Sequence, residues 1–237
     1  MRIWRLLFVG LLGSFVSVGA LEAQELGLGG LKENLDLPLD AIGEVGEEEE
    51  APEVVNFYGQ NLEGDGFFYS IDASGSMRDS QELTKAKQEI TRNVSEFSEK
   101  TEFGIVLFWS TITKYPTSGR PVAANAGSKQ AAISWLAGQQ GGTGSCMMEG
   151  LREALQMANM SAAKRKVVVY VGDGGGTCNG SNEQDYLRKM VSTITAQNYQ
   201  RAQVNTIGVM MGTSRQMQES FMKQLSAANN GTYRRIY

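Results

Sequence analysis

The residues of this 237-residue chain best suited to chemistry are two aspartates and three hydroxyls, carried on three glycine-containing loops. The first loop is Asp72-Ala73-Ser74-Gly75-Ser76-Met77. Spacing by two lets an extended turn project Asp72, Ser74 and Ser76 to one side. The second is Gly141-Gly142-Thr143-Gly144-Ser145, and the third is Gly172-Asp173-Gly174. Asp72, Ser74, Ser76, Thr143 and Asp173 together form a hard oxygen set, which suits Mg²⁺ or Mn²⁺, with Ca²⁺ the poorer match. Two carboxylates only just neutralise a divalent ion. Neutral hydroxyls leave it electrophilic, with room for an oxygen from outside, such as an Asp or Glu carboxylate of a protein partner.

The composition narrows the alternatives. The chain has no histidine and two cysteines. Ser-His-Asp and Cys-His catalysis, histidine-ligated zinc and histidine general bases are therefore excluded. A four-thiolate zinc site is excluded too. No Gly-Lys-Ser/Thr follows the glycine-rich loops, so neither a nucleotide nor any other small-molecule cofactor is expected. The only visible general bases are the site carboxylates themselves, so a metal-dependent hydrolase is the weaker rival to a non-enzymatic binding module. Ser161-Ala162-Ala163-Lys164 matches a serine-lysine pattern without its companion motifs and reads as a polar connection.

Strand and helix alternate along residues 56–237. Gly66 to Ile71, Phe103 to Trp109, Lys166 to Val171 and Val204 to Met211 read as buried strands, with a short edge strand at Ile112 to Tyr115 and a last one at Thr232 to Tyr237. Apolar residues at steps of three and four predict helices over Ser80–Ser98, Ser145–Met160, Asn182–Gln197 and Ser214–Ala228, and residues 128–138 read as a weaker helix ending at Gly138. Such alternation implies an α/β fold: a Rossmann-like three-layer arrangement of a mainly parallel sheet with helices on both faces. Ligands then bind outside the carboxyl ends of the strands, where the first and third loops are predicted to lie.

The run Ile71 to Met77, followed by Gly142-Thr143 and by Val171 to Gly174, resembles the von Willebrand factor type A (VWA) domain. That family carries a metal-ion-dependent adhesion site written D-x-S-x-S, then a distant Thr and a distant Asp. Asp72, Ser74, Ser76, Thr143 and Asp173 meet all five positions. The resemblance covers roughly residues 64–237. It implies a six-stranded sheet with one antiparallel edge strand, metal-bridged protein recognition, direct metal contacts from the hydroxyls, and aspartates that often act through water. Gly172 departs from the family pattern, where a residue such as Thr is common.

The N-terminal residues differ in character. Arg2 and Arg5 precede an apolar run from Leu6 to Ala20, which reads as an export signal (residues 1–20) with cleavage after Ala20 or Ala23. The alternative is an uncleaved membrane anchor, although the run is short of the roughly 20 residues needed to span a bilayer. Residues 21–55 hold eleven acidic residues and one basic residue, including the run Glu47 to Glu50, and read as an exposed, mostly disordered tether. Residues 56–237 carry nineteen basic against fifteen acidic residues. With no basic stripe interleaved with aromatics, they suggest no nucleic-acid partner.

Cys146 and Cys178 each lie a few residues beyond a candidate metal loop. In an exported chain such a pair favours a disulfide joining the second and third loops, the alternative being two buried thiols. The combined expectation is a protein exported to the periplasm, cell surface or medium, acting in adhesion or protein binding. A structural subunit of an envelope or secreted complex, with a metal-independent interface, is the other alternative.

Overall fold

A computed structural model describes residues 51–180, 182–211 and 215–236. The expected signal and the tether up to residue 50 lie outside the described residues. The described residues belong to one compact unit.

The main sheet is built on β3 (Gly66–Asp72), β4 (Glu102–Phe108), β7 (Lys166–Gly172) and β8 (Gln203–Gly208). Two of these are the continuous apolar runs GFFYSI and KVVVYV, which a sheet covered on both faces requires. The strands run in the order β5-β4-β3-β7-β8-β9, with β5 at Ile112–Tyr115 and β9 at Tyr233–Arg235. β3 pairs in parallel with β4 and β7, β7 with β8 and β8 with β9, while β5 closes one edge antiparallel to β4. This is the expected six-strand arrangement. A two-residue strand, β6 (Val122–Ala123), adds a second antiparallel pairing to β4 and makes the sheet seven-stranded.

Alternation along β3 assigns its two faces. Phe67, Tyr69 and Ile71 point into one core with Leu83, Ala86, Ile90 and Val94 of α2 (Glu82–Glu96) and Ala132 and Leu136 of α3 (Ala126–Gly138). Phe68 faces the other core, built with α4 (Met147–Met160), α5 (Glu183–Gln197) and α6 (Gln216–Ala228). Every residue of β3 is buried. No helix among the described residues is long and apolar enough to cross a membrane.

Three differences from the sequence expectation bear on function. First, β1 (Glu53–Phe57) and β2 (Gln60–Gly64) form a separate antiparallel hairpin, and β1 begins three residues inside the acidic stretch read as tether. Its two-residue loop, Tyr58-Gly59, has positive φ at both positions (51° and 73°), the geometry of a type I′ turn. The Glu53 carboxylate accepts hydrogen bonds from Ser98 and Thr101, so this acidic residue is structural. Second, a short helix, α1 (Gly75–Asp79), precedes α2; the chain turns between them at Gln81, whose φ is 66°. Third, α4 starts at Met147 rather than Ser145, because the Cys146 N–H donates to the Trp109 carbonyl and holds the preceding loop against the end of β4.

Candidate metal centre

Asp72 is the last residue of the central strand β3 and is completely buried. Its Oδ1 accepts the Ser74 N–H at 2.8 Å, so the carboxylate folds the chain into a turn two residues on. Ser74 is the N-cap of α1, yet its side chain makes no cap hydrogen bond. Its Oγ lies 3.1 Å from Ser76 Oγ instead. Ser76 Oγ donates to Asp173 Oδ2 at 2.8 Å, joining the first loop to the third. Asp173 follows β7, the neighbour of β3, and is also buried. The parallel register therefore brings the two carboxylates to one end of the sheet.

The second loop is drawn in through its backbone. The Gly142 N–H donates to the Ala73 carbonyl at 2.9 Å, and the Thr143 carbonyl accepts from the Ser110 N–H at 3.0 Å. Gly141 sits at φ 72°, and a Cβ there would overlap the Ala73 carbonyl oxygen. Thr143 itself is exposed at the rim. Asp72, Ser74, Ser76 and Asp173 are thus linked directly, whereas Thr143 is placed beside them by its main chain. Gly172, the departure from the family pattern, lies against Asp72: an added Cβ would come within 2.9 Å of the aspartate Cβ.

Sequence reasoning missed two side chains. Ser145 Oγ donates to Asp72 Oδ2 at 3.3 Å and is buried with it. Its only signal was membership of the second loop. Arg215, the N-cap of α6, lies 3.1 Å from Asp173 Oδ2 through one guanidinium nitrogen and donates to the Asp173 carbonyl through another, also at 3.1 Å. A lone arginine after the fourth buried strand carries no sequence signal for this role.

Burial above all, with a smaller contribution from the nearby Asp173 charge, pushes the Asp72 carboxyl up to about 7, against hydrogen bonds from Ser74 and Ser145 that favour the ionised form. A buried carboxylate bonded only to neutral donors is costly. A divalent cation among these oxygens would relieve that cost, and the donor set, all carboxylate and hydroxyl, fits a hard ion. The residues present therefore fit the metal that the five-residue pattern implies.

Cys146 and Cys178 form a disulfide with a Cα–Cα distance of 4.5 Å, tying the second loop to the segment after the third. The pair lies near Glu149, but its sulfurs are consumed in the bond. Ser161 Oγ donates to Glu102, which also caps the Ala162 and Ala163 amides, so the Ser161-x-x-Lys164 motif is a strand-entry connection. Asn93 of α2 is wholly buried and donates to the Tyr69 hydroxyl.

The fold and the strand-end cluster define a doubly wound α/β domain with a cluster of carboxylate and hydroxyl oxygens at its topological switch point, between β3 and β7. The von Willebrand factor type A domain model matches residues 70–237, and the chain belongs to that family. No curated protein matches it. Solved structures share the fold. A von Willebrand factor type A protein from Catenulispora acidiphila superposes with a TM-score of 0.58 at 16% identity, over 75% of this chain and 40% of that one. The pilus adhesin SpaC from Lactobacillus rhamnosus GG, in its open conformation, gives 0.58 at 13% identity, over 75% and 28%. The vWF domain of the type V pili tip protein Mfa5 from Porphyromonas gingivalis gives 0.56 at 11% identity, over 72% and 89%. The chain therefore spans less than half the length of the first two.

Proposed function

We propose that this protein is an exported, non-enzymatic binding module that recognises a protein partner through a divalent metal, Mg²⁺ or Mn²⁺, at a metal-ion-dependent adhesion site. The observation that carries this reading is the convergence of Asp72, Ser74, Ser76 and Asp173 at the carboxyl ends of β3 and β7, with the Thr143 loop hydrogen-bonded across them. Ser74, Ser76 and Thr143 would hold the ion through hydroxyl oxygens, and Asp72 and Asp173 would neutralise it. When bound, the ion supplies a Lewis-acidic position for an Asp or Glu carboxylate of the partner. The disulfide supports an oxidising, extracytoplasmic location. The pilus adhesin SpaC, which shares the fold, supplies a precedent for an adhesion module.

The test is partner capture from the exported fraction by the immobilised protein, with Mg²⁺, with EDTA and with Asp72→Ala. Capture that needs both the metal and Asp72 is expected. Equal capture in all three arms would falsify the metal bridge and favour a structural subunit with a metal-independent interface. Metal-dependent turnover of an ester or phosphate substrate would favour a hydrolase.

A further inference from the structure

Arg215 is a cation already placed in the site that the five-residue pattern defines. One guanidinium nitrogen meets Asp173 Oδ2 at 3.1 Å and another donates to the Asp173 carbonyl at 3.1 Å, so two contacts fix its plane against the third loop. The Asp173 side chain is only 4% exposed and that of Arg215 29%, so the pair is shielded from solvent on the aspartate side and open on the arginine side. The loop is shaped to admit it: a Cβ on Gly175 would come within 2.9 Å of the guanidinium. Asp173 Oδ2 is the same oxygen that accepts the Ser76 hydroxyl, so Arg215 reaches the inner oxygens and is no peripheral rim charge.

Resting on the metal-site reading above, we propose that Arg215 is a built-in counter-cation that weakens binding of the metal alone and makes the loaded site require an external anion. Asp72 and Asp173 alone would only just neutralise a divalent ion. With the guanidinium included, the loaded cluster carries one positive charge in excess, in a partly desolvated place where such an excess is costly. One carboxylate from a partner removes that excess, and the exposed side of Arg215 offers the same carboxylate a charge-assisted donor beside the metal position. The site would thus select anionic over neutral oxygen ligands and stay weakly loaded until the partner arrives. Metal and carboxylate affinities are then positively linked, each raising the other by the same factor.

The experiment is titration of the folded protein with Mn²⁺, followed by calorimetry or electron paramagnetic resonance, for wild type, Arg215→Gln and Arg215→Lys, with and without saturating acetate. Thermal denaturation in EDTA monitors folding. The expected result without acetate is that Arg215→Gln binds Mn²⁺ about tenfold more tightly than wild type, while Arg215→Lys, which keeps the charge, stays within about twofold. Acetate is expected to tighten Mn²⁺ binding to wild type more than to Arg215→Gln. Unchanged or weaker Mn²⁺ binding by a folded Arg215→Gln would overturn the proposal, as would an equal acetate effect on both proteins. Should Arg215→Gln fail to fold, Arg215→Met takes its place under the same criteria. Wild type that binds no Mn²⁺ at all would overturn the metal site itself, an outcome visible before any variant is compared.

Discussion

Ser76 Oγ and Asp173 Oδ2 lie 2.8 Å apart although 97 positions separate the residues in sequence, and their hydrogen bond fastens the loop after β3 to the loop after β7. The same hydroxyl sits 3.1 Å from Ser74 Oγ. Ser76 therefore serves both the packing of the loops and the proposed coordination. The two roles separate by experiment. Ser76→Ala is expected to lower stability in EDTA by about 1.5–3 kcal/mol, the worth of a hydrogen bond to a carboxylate. It is also expected to abolish most of the rise in melting temperature that Mg²⁺ gives wild type. A full Mg²⁺-dependent rise in Ser76→Ala would remove this hydroxyl from the ligand set.

Asp72 yields a prediction with a definite sign. Burial raises its carboxyl from 3.8 to about 7, so between those values the folded metal-free protein holds a proton that the unfolded chain has released. The contribution of Asp72 to stability therefore falls as pH rises from about 4 to about 7, and is level above that. Asp72→Asn, which stays neutral, is expected to match wild type near pH 4 and to exceed it at pH 8 by up to about 4 kcal/mol in EDTA. Saturating Mg²⁺ should shrink the gap by stabilising wild type alone. Parallel urea-unfolding profiles for the two proteins across this pH range would refute the assignment.

The parts of the site written in local sequence were legible, and those made by tertiary contact were not. Asp72, Ser74 and Ser76 lie on one turn directly after an apolar strand, so pattern and strand-end position pointed to them together. Asp173 was reachable because the KVVVYV strand has an unmistakable end. Ser145 escaped because α4 was expected to begin there, whereas the Cys146–Trp109 backbone bond delays the helix and leaves Ser145 facing Asp72. Arg215 escaped because its partner lies 42 positions away and no periodicity marks it. In the fold, the alternating strands and helices were readable from apolar spacing. The β1–β2 hairpin was not: it buries just three apolar side chains, Val55, Phe57 and Leu62, and its turn places a tyrosine at positive φ where asparagine or aspartate is usual.

Gly141 is expected to be intolerant of a side chain. It combines φ 72° with close approach to the Ala73 carbonyl, the group that accepts the neighbouring Gly142 amide. Alanine there meets backbone strain of about 1 kcal/mol and a steric overlap that only movement of the second loop relieves. Gly141→Ala should lower stability by about 2–3 kcal/mol. It should also weaken metal binding through displacement of Thr143. Gly138→Ala, at the end of α3 with no atom near its missing Cβ, is the matched control and should change neither property appreciably. Comparable losses in both variants would show that the approach to Ala73 carries no weight.

The disulfide should matter to the site as well as to the fold. Cys146 lies three positions after Thr143 and Cys178 five after Asp173, so the bond closes a 32-residue loop that begins and ends beside the candidate ligands. In the chain-entropy account its removal costs about 3–4 kcal/mol, nearly all of it through the unfolded state. Were that the whole effect, a folded Cys146→Ala/Cys178→Ala protein would bind Mn²⁺ as wild type does. The second loop, however, meets the first through backbone bonds at Gly142 and reaches the Asp72 carboxylate through Ser145, whose neighbour is Cys146. Freed from Cys178, Ser145 and Thr143 can drift from Asp72. The double variant is therefore expected to lose stability by the amount above and also to bind Mn²⁺ about three- to tenfold more weakly, under conditions where it is still folded. Reduction of wild type with dithiothreitol should reproduce both effects. Unaltered Mn²⁺ affinity in the folded double variant would confine the disulfide to a purely stabilising role.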